Sequence, residues 1–253
     1  MLLAPAFVLF WEMRPDRVDV WIASELGRQL GVHPVVDLGI QSAIVHNILG
    51  GFWFAAVVFV LWTGKGKERS QVAERRIETM LVGSALAVTL ALLCGSAWRW
   101  EPPNHNGALA HFFPSYLLPN PNQNSFPSAS TALYSSVAAG VVSLCRPAGL
   151  VLWVLVFCAV GLPRMYVGGH YASDVVAGAL LGLAGYFVAR KFIEPMLPRV
   201  TSHLSIRFLR SPWLRITQET LIFFWIVELA VGFREVAWTA HILEYLARRG
   251  LIH

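Results

Sequence analysis

Charged side chains are scarce in this chain. Asp, Glu, Lys and Arg make up 14% of its 253 residues, against about 25% in an ordinary soluble domain. Hydrophobic residues reach 56%, against about 45–50%, so the composition argues against a soluble globular fold. Cysteine is scarce too. Cys94, Cys145 and Cys158 lie in or at the ends of apolar runs without CxxC spacing, which excludes a disulfide framework or a zinc site and leaves them as small buried hydrophobes. Internal repeats, low-complexity tracts and a compact basic domain or tail are absent as well. The net charge of +5 and pI near 9.4 therefore do not imply a nucleic-acid partner.

A mean hydropathy of +0.55, ten Trp and long apolar runs separated by short basic segments are present instead. Because about 30 Å of hydrocarbon needs about 20 apolar residues, these features predict an all-α, polytopic membrane protein with about six transmembrane helices. The expected organisation is an amphipathic, interfacial segment over 1–35, a membrane helical domain over 36–233 and an amphipathic segment over 234–253. The N-terminus lacks a basic leader and a small-residue cleavage site, so it does not read as a cleaved signal peptide. In residues 12–35, Arg14, Asp16, Arg17, Asp19, Glu25 and Arg28 alternate with Val18, Val20, Trp21, Ile22, Leu26 and Leu30; this pattern suits a helix lying in the interface.

The expected spans run from about Val35 to Trp62, Thr79 to Ala97, Thr131 to Cys145, Ala148 to Leu162, Ser173 to Ala189 and Ile216 to Phe233. Asp37, His46 and Asn47 make the first half of the first one polar enough to face protein rather than lipid. Glu219 and Glu228 interrupt the last. Lys65, Lys67, Arg69, Arg75, Arg76, Arg146, Arg190, Lys191, Arg199, Arg207, Arg210 and Arg215 mark the cytoplasmic segments by the positive-inside rule. The loops at about 98–130 and 163–172 then face the other side, the periplasm if the membrane is a bacterial inner membrane.

Those two loops hold nearly all the candidate chemistry. One reads LPRMYVGGHYASDVVAGALLG. Arg164 is followed after five residues by His170 and after three more by Asp174, at the entrance to an apolar helix. Positions 170 and 174 lie about one turn apart on one face, so Asp174 is placed to accept from one imidazole nitrogen and turn the other outward. A histidine so held is a nucleophile or general base, and the Arg164 guanidinium suits a phosphate. The other loop ends NQNSFPSASTALYSSVAAG, where Ser128 and Ser130 precede or open a helix whose first amides suit an anion. Taken alone, either serine reads more simply as a helix cap.

Together the two loops resemble the type 2 phosphatidic acid phosphatase superfamily, which includes lipid phosphate phosphatases, bacterial undecaprenyl diphosphate phosphatases and vanadium haloperoxidases. The resemblance covers about residues 79–190. The family's third motif, Ser-Arg, five residues, His, three residues, Asp, is matched at Arg164, His170 and Asp174, with Pro163 in place of its serine. Its second motif, Pro-Ser-x-His, reads Pro127, Ser128, Ala129, Ser130, so a serine stands where the leaving-group acid belongs. Its first motif falls before Pro102 and puts Cys94 and Glu101 at the positions of two cations.

The resemblance implies attack of His170 on a phosphoryl group, with Asp174 orienting the ring, Ser128, Ser130 and Arg164 binding phosphate, and no metal or other cofactor. Arg99, His105 and His111 lie in the same outward loop and are candidates to replace the lost groups. Because general-acid help is worth about a hundred- to ten-thousand-fold, the loss of the acid favours a lipid diphosphate, whose leaving phosphate is a weak base, over a monoester. Two functions follow: a membrane lipid phosphatase or phosphotransferase acting on a polyprenyl or other lipid (di)phosphate, or a non-catalytic member that binds, presents or transports a lipid phosphate or scaffolds a partner membrane enzyme. The partners expected are a lipid phosphate and membrane lipids, and no nucleic acid.

Overall fold

The computed structural model describes residues 15–45, 51–63, 71–98, 100–114, 124–196, 220 and 222–226. Among them the regular elements are all helical. They are α1 (Arg17–Gly27), α2 (Pro34–Val45), α3 (Gly51–Thr63), α4 (Gln71–Ala97), a 3-10 turn (Ala110–Phe112), α5 (Ala129–Leu144), α6 and α7. α6 begins as Arg146–Leu155, widens into a π-helical stretch over Val156–Gly161 and ends as Leu162–Tyr166; α7 runs over Ala172–Val188 and widens again over Ala189–Ile193.

Local chemistry sets the starts. The Asp16 carboxylate accepts the Asp19 N–H at 2.7 Å and opens α1. Ser128 caps α5. A proline in the first turn, where a missing N–H costs nothing, opens α6. At α7, Asp174 reaches back to accept the Tyr171 N–H at 2.7 Å, satisfying a donor that the first turn leaves unpaired.

α4, α5 and α7 pack on one another and α6 packs on α5. With little hydrophobic drive between helices in lipid, close backbone approach carries the association. Gly178 and Gly182, four residues apart on α7, make it possible: a Cβ at Gly178 would lie 2.4 Å from the Ser128 carbonyl oxygen and one at Gly182 2.4 Å from that of Ala132. Phe54, Met80, Tyr134, Val137, Leu152 and Tyr186 fill the centre. Leu92, Leu93, Leu150, Val154, Leu180 and Phe187 point outward and are exposed, as a lipid-facing surface requires.

Among the described residues, three helices are long and apolar enough to cross a membrane: Arg75–Ala97, Arg146–Tyr166 and Ala172–Ile193. Pro34–Ile44, Gly51–Thr63 and Ala129–Leu144 are apolar but shorter. Of the expected span Val35 to Trp62, the described parts are α2 and α3, each apolar and by itself shorter than a crossing; residues 46–50 between them lie outside the described residues. The expected span ending at Leu162 instead continues to Tyr166, which moves Arg164 from a loop onto the last turn of a helix. Of the expected span Ile216–Phe233, only 220 and 222–226 are described, and they are helical; Glu219, Glu228 and the segment 234–253 lie outside the described residues, as do His46, Lys65, Lys67, Arg69, Arg199, Arg207, Arg210 and Arg215.

The bundle has two chemically different ends. At one, Arg76 Nε lies 3.4 Å from Glu194 Oε1, which sets the start of α4 beside the end of α7. At the other, the Ser128 N–H donates to the Asp174 carbonyl at 3.1 Å, so α5 and α7 begin together. Arg75, Arg76, Arg190 and Lys191 therefore share one end, and the loops 100–114, 124–128 and 167–171 share the opposite one.

Candidate functional site

His170 sits in the turn between α6 and α7, buried, with its Nδ1 2.6 Å from the Ser125 carbonyl oxygen. A carbonyl only accepts, so Nδ1 carries the proton and Nε2 keeps its lone pair. This differs from the expectation that Asp174 holds the ring: its Oδ2 is 4.0 Å from Nδ1. That carboxylate instead accepts the Tyr171 N–H and the Ser125 hydroxyl. Asp174 thus fixes Ser125, whose carbonyl fixes His170, and a further bond from the Ser125 N–H to the Trp100 carbonyl at 2.9 Å steadies the same residue.

The ring is held neutral. Burial, helped by the nearby Arg164 guanidinium and opposed by the Ser125 hydrogen bond, lowers the His170 pKa to about 4. Arg164 itself is anchored on the last turn of α6, with Nη1 donating to the Val160 carbonyl at 3.0 Å. A neutral imidazole with a lone pair on Nε2, near a guanidinium, combines the two groups that phosphoryl chemistry asks for: one that can attack and one that can hold an anion.

Ser128 is fully buried, and its hydroxyl oxygen accepts from Thr131 Oγ1 at 2.8 Å and from the Thr131 N–H at 3.4 Å. Its side chain is thereby committed to capping α5. What that helix offers an anion is the pair of first-turn amides, at Ala129 and Ser130, which have no intrahelical acceptor. Ser130 is half-buried on that first turn. The contact between the Ser128 N–H and the Asp174 carbonyl brings this helix start against the His170 turn despite the intervening chain.

The outward loop folds over the same end. Asn104 donates its N–H to the Gly168 carbonyl at 3.1 Å and its Nδ2 to the Val167 carbonyl at 3.3 Å, and Gly168 takes φ +73°, a conformation few other residues tolerate. His105 Nδ1 lies 3.0 Å from Asn104 Oδ1, so this candidate substitute sits beside the His170 turn. His111 is exposed and stacks on Phe112, ring centroids 3.9 Å apart. Arg99 lies outside the described residues. Glu101 is exposed and Cys94 half-buried near the end of α4. The Tyr171 hydroxyl accepts from Asn106 Nδ2 at 3.3 Å; burial, with the Asp174, Asp19 and Glu101 carboxylates nearby, pushes its pKa up to about 12, so it stays protonated.

Sequence reasoning missed several of these residues. Ser125 acts through a backbone carbonyl, which no side-chain motif announces. Asn124 ties three points of the α4 end, accepting from the Trp100 N–H at 2.9 Å and donating to the Gly95 and Trp98 carbonyls at 2.5 and 3.0 Å. Asp19 and Asp37, buried on α1 and α2, accept from Ser173 and Tyr166 on either side of His170; for Asp37 the faint signal is an acidic residue inside an otherwise apolar stretch, and for Asp19, among other charges, there is none.

Residues 78–195 match the model of the PAP2 superfamily. The chain is 39% identical over 105 residues to the bacitracin transport permease protein BcrC of Bacillus licheniformis, covering 38% of this chain and 50% of that protein. It is 32% identical over 110 residues to the decaprenylphosphoryl-5-phosphoribose phosphatase of Mycobacterium tuberculosis, covering 43% of this chain and 57% of that one. The match thus spans about half the length of each of these curated relatives. The crystal structure of Aquifex aeolicus LpxE is similar with a TM-score of 0.47 at 20% identity, over 66% of this chain and 94% of that one.

Proposed function

Through residues 78–195 this chain belongs to the PAP2 superfamily, and from that premise we propose that it is an integral membrane phosphatase acting on a polyprenyl-type lipid phosphate. The observation that carries the reading is the His170 ring: Nδ1–H bonded to the Ser125 carbonyl, Nε2 unprotonated, and Arg164 beside it.

In this reading the Nε2 lone pair attacks phosphorus in line. As the N–P bond forms, the bond from phosphorus to the leaving oxygen breaks and its electron pair goes to that oxygen. The ring becomes cationic, and the Ser125 carbonyl on Nδ1–H stabilises it. Water then attacks phosphorus, the N–P bond breaks, inorganic phosphate leaves and His170 returns to its starting form. Arg164 and the first-turn amides of α5 hold the phosphoryl oxygens. Asp174 is a positioning residue, acting through Ser125.

The leaving group decides the substrate. Ser130 stands where an acid is needed and its hydroxyl does not protonate an alkoxide at neutral pH, so a lipid diphosphate releasing a lipid monophosphate is favoured over a monoester. The relative named for decaprenylphosphoryl-5-phosphoribose supports a polyprenyl carrier. The Arg75, Arg76, Arg190 and Lys191 end of the bundle, read with the positive-inside rule, supports a site on the periplasmic face of a bacterial inner membrane.

The test is phosphate release from the purified full-length protein on a panel of polyprenyl diphosphate, polyprenyl monophosphate, a polyprenylphosphoryl sugar phosphate and phosphatidic acid. The expected result is hydrolysis favouring the diphosphate, a phosphohistidine recovered after alkaline quench, and loss of both in His170→Ala. Turnover that survives His170→Ala overturns the mechanism. A second reading, a non-catalytic member that binds, presents or transports a lipid phosphate or scaffolds a partner enzyme, is favoured by Cys94 and Glu101 at two cation positions. Its signature is vanadate and lipid binding without turnover on any member of the panel.

A further inference from the structure

The family match begins at residue 78, yet two carboxylates from far upstream hold the turn that carries His170. Asp19, on α1, is 2% exposed; its Oδ1 accepts the Ser173 N–H at 3.0 Å and its Oδ2 accepts the Ser173 hydroxyl. Asp37, on α2, is fully buried; its Oδ1 accepts the Tyr166 hydroxyl at 2.7 Å and its Oδ2 the Gly31 N–H at 2.8 Å. Tyr166 is two residues after Arg164, and Ser173 is one residue before Asp174. The segment 166–173 is therefore gripped at both ends from outside the family core.

The grip is costly to build, which argues that it does more than seat a helix. A buried carboxylate is stable only where donors replace water, and the donors Asp19 uses come from the His170 turn rather than from its own helix. The contact is also packed. Ala23, Leu30, Leu109, Phe113 and Tyr171 form one buried cluster, and a Cβ at Gly27 would meet Phe112 Cβ at 2.7 Å, so α1 lies tight against the outward loop as well.

We propose that Asp19 and Asp37 are positioning residues for the phosphoryl-transfer site, the N-terminal helices forming a clamp that fixes His170 relative to Arg164 and Asp174. The proposal rests on the phosphatase reading only for its kinetic consequence. A displacement of about 1 Å in a reacting group costs on the order of a hundredfold in rate, so loosening either end of the turn lowers kcat while leaving the lipid-binding surface intact.

The experiment uses full-length protein in detergent and compares Asp19→Ala, Asp19→Asn, Asp37→Ala and Asp37→Asn. Two readouts are taken: steady-state kinetics on polyprenyl diphosphate, and hydrogen exchange of peptides spanning 167–174 and α5. Each alanine variant is expected to lose about 10- to 100-fold in kcat with KM within about twofold. Each asparagine variant, which keeps an oxygen for the serine or tyrosine donor, is expected to recover most of the loss. Exchange in 167–174 rises in the alanine variants while α5 is unchanged. Wild-type kcat in both alanine variants, or a loss carried wholly by KM, overturns the clamp. If the wild-type protein turns over none of the lipids, the phosphatase reading falls and exchange alone decides: faster exchange confined to 167–174 upholds the clamp, unchanged exchange sinks it. If an alanine variant does not fold, Asp19→Asn combined with Ser173→Ala, which removes the hydroxyl donor and keeps the buried shape, takes its place under the same criteria.

Discussion

The depressed pKa of His170 makes a quantitative claim. A free histidine titrates near 6.5, and burial against the α5–α7 end brings this one to about 4. With a midpoint near 4 the ring is about 90% neutral at pH 5, whereas at 6.5 it would be about 3% neutral. If neutral His170 is the nucleophile, the ring's own titration lowers kcat/KM by about a tenth between pH 7 and pH 5, instead of about 25-fold. Lipid phosphates titrate in the same range, so the ring is best followed directly. Protein carrying isotopically labelled histidine, titrated by NMR in detergent, gives eight ring signals, with His170 assigned by its loss in His170→Gln. The expected midpoint is near 4. The sign for stability follows: the folded pKa lies below the unfolded one, so as pH falls from about 6.5 towards 4 the unfolded chain takes up a proton that the folded ring refuses. Stability drops over that window by about 3 kcal/mol. A ring midpoint near 6.5 refutes the picture of a dry, guanidinium-flanked imidazole.

Three further expectations follow. Ser130→His, which supplies an imidazole on the first turn of α5, should raise monoester hydrolysis relative to diphosphate hydrolysis in a phosphate-release assay; an unchanged ratio shows that the missing acid does not set substrate choice. Gly178→Ala puts a methyl 2.4 Å from the Ser128 carbonyl and should lower thermal stability in detergent by about 1–3 kcal/mol together with activity, while Gly39→Ala, with nothing within 4 Å, should be neutral or slightly stabilising; equal effects at the two positions would contradict the close crossing of α5 and α7. Cysteines placed at Gly107, where a side chain meets nothing within 4 Å, and at the exposed Ala108 should react with an impermeant thiol reagent from the periplasmic side and one placed at Lys67 should not, and labelling of Lys67 and Gly107 from one side excludes the topology.

The parts of this protein that can be read from sequence are those written in local spacing. The membrane class, the apolar character of α4, α6 and α7 and the Arg164, His170, Asp174 series all lie in short windows where residue type and period carry the information. Long-range pairings are written in no such window. The partner of the His170 ring is a backbone oxygen 45 residues upstream, and Ser173 bonds a carboxylate 154 residues away. Asp37 inside an apolar run was read as a polar face turned to protein, which its burial bears out, but its partner Tyr166 is 129 residues distant.

The wide stretch Val156–Gly161 in α6 has a consequence of its own. A π-helical turn accommodates about one residue more than an α-turn, and each residue of an α-helix advances about 100° around the axis. The wide turn therefore takes up that residue in place: the residue after it stacks over the turn below as its neighbour would in an unbroken α-helix, and the two halves of α6 keep one rotational phase. Upstream, Leu150 and Val154 are exposed; downstream, Arg164 stands on the last turn with its guanidinium on the Val160 carbonyl. Removing a single residue between 156 and 161 would let the stretch close to an even α pitch with the aim of the arginine nearly kept, whereas the same deletion in an unbroken α-helix would swing everything after it by roughly 100° about the axis. The stretch works as slack in one helix, a place where the chain can gain or lose a residue while the arginine and the residues that meet the membrane hold their directions.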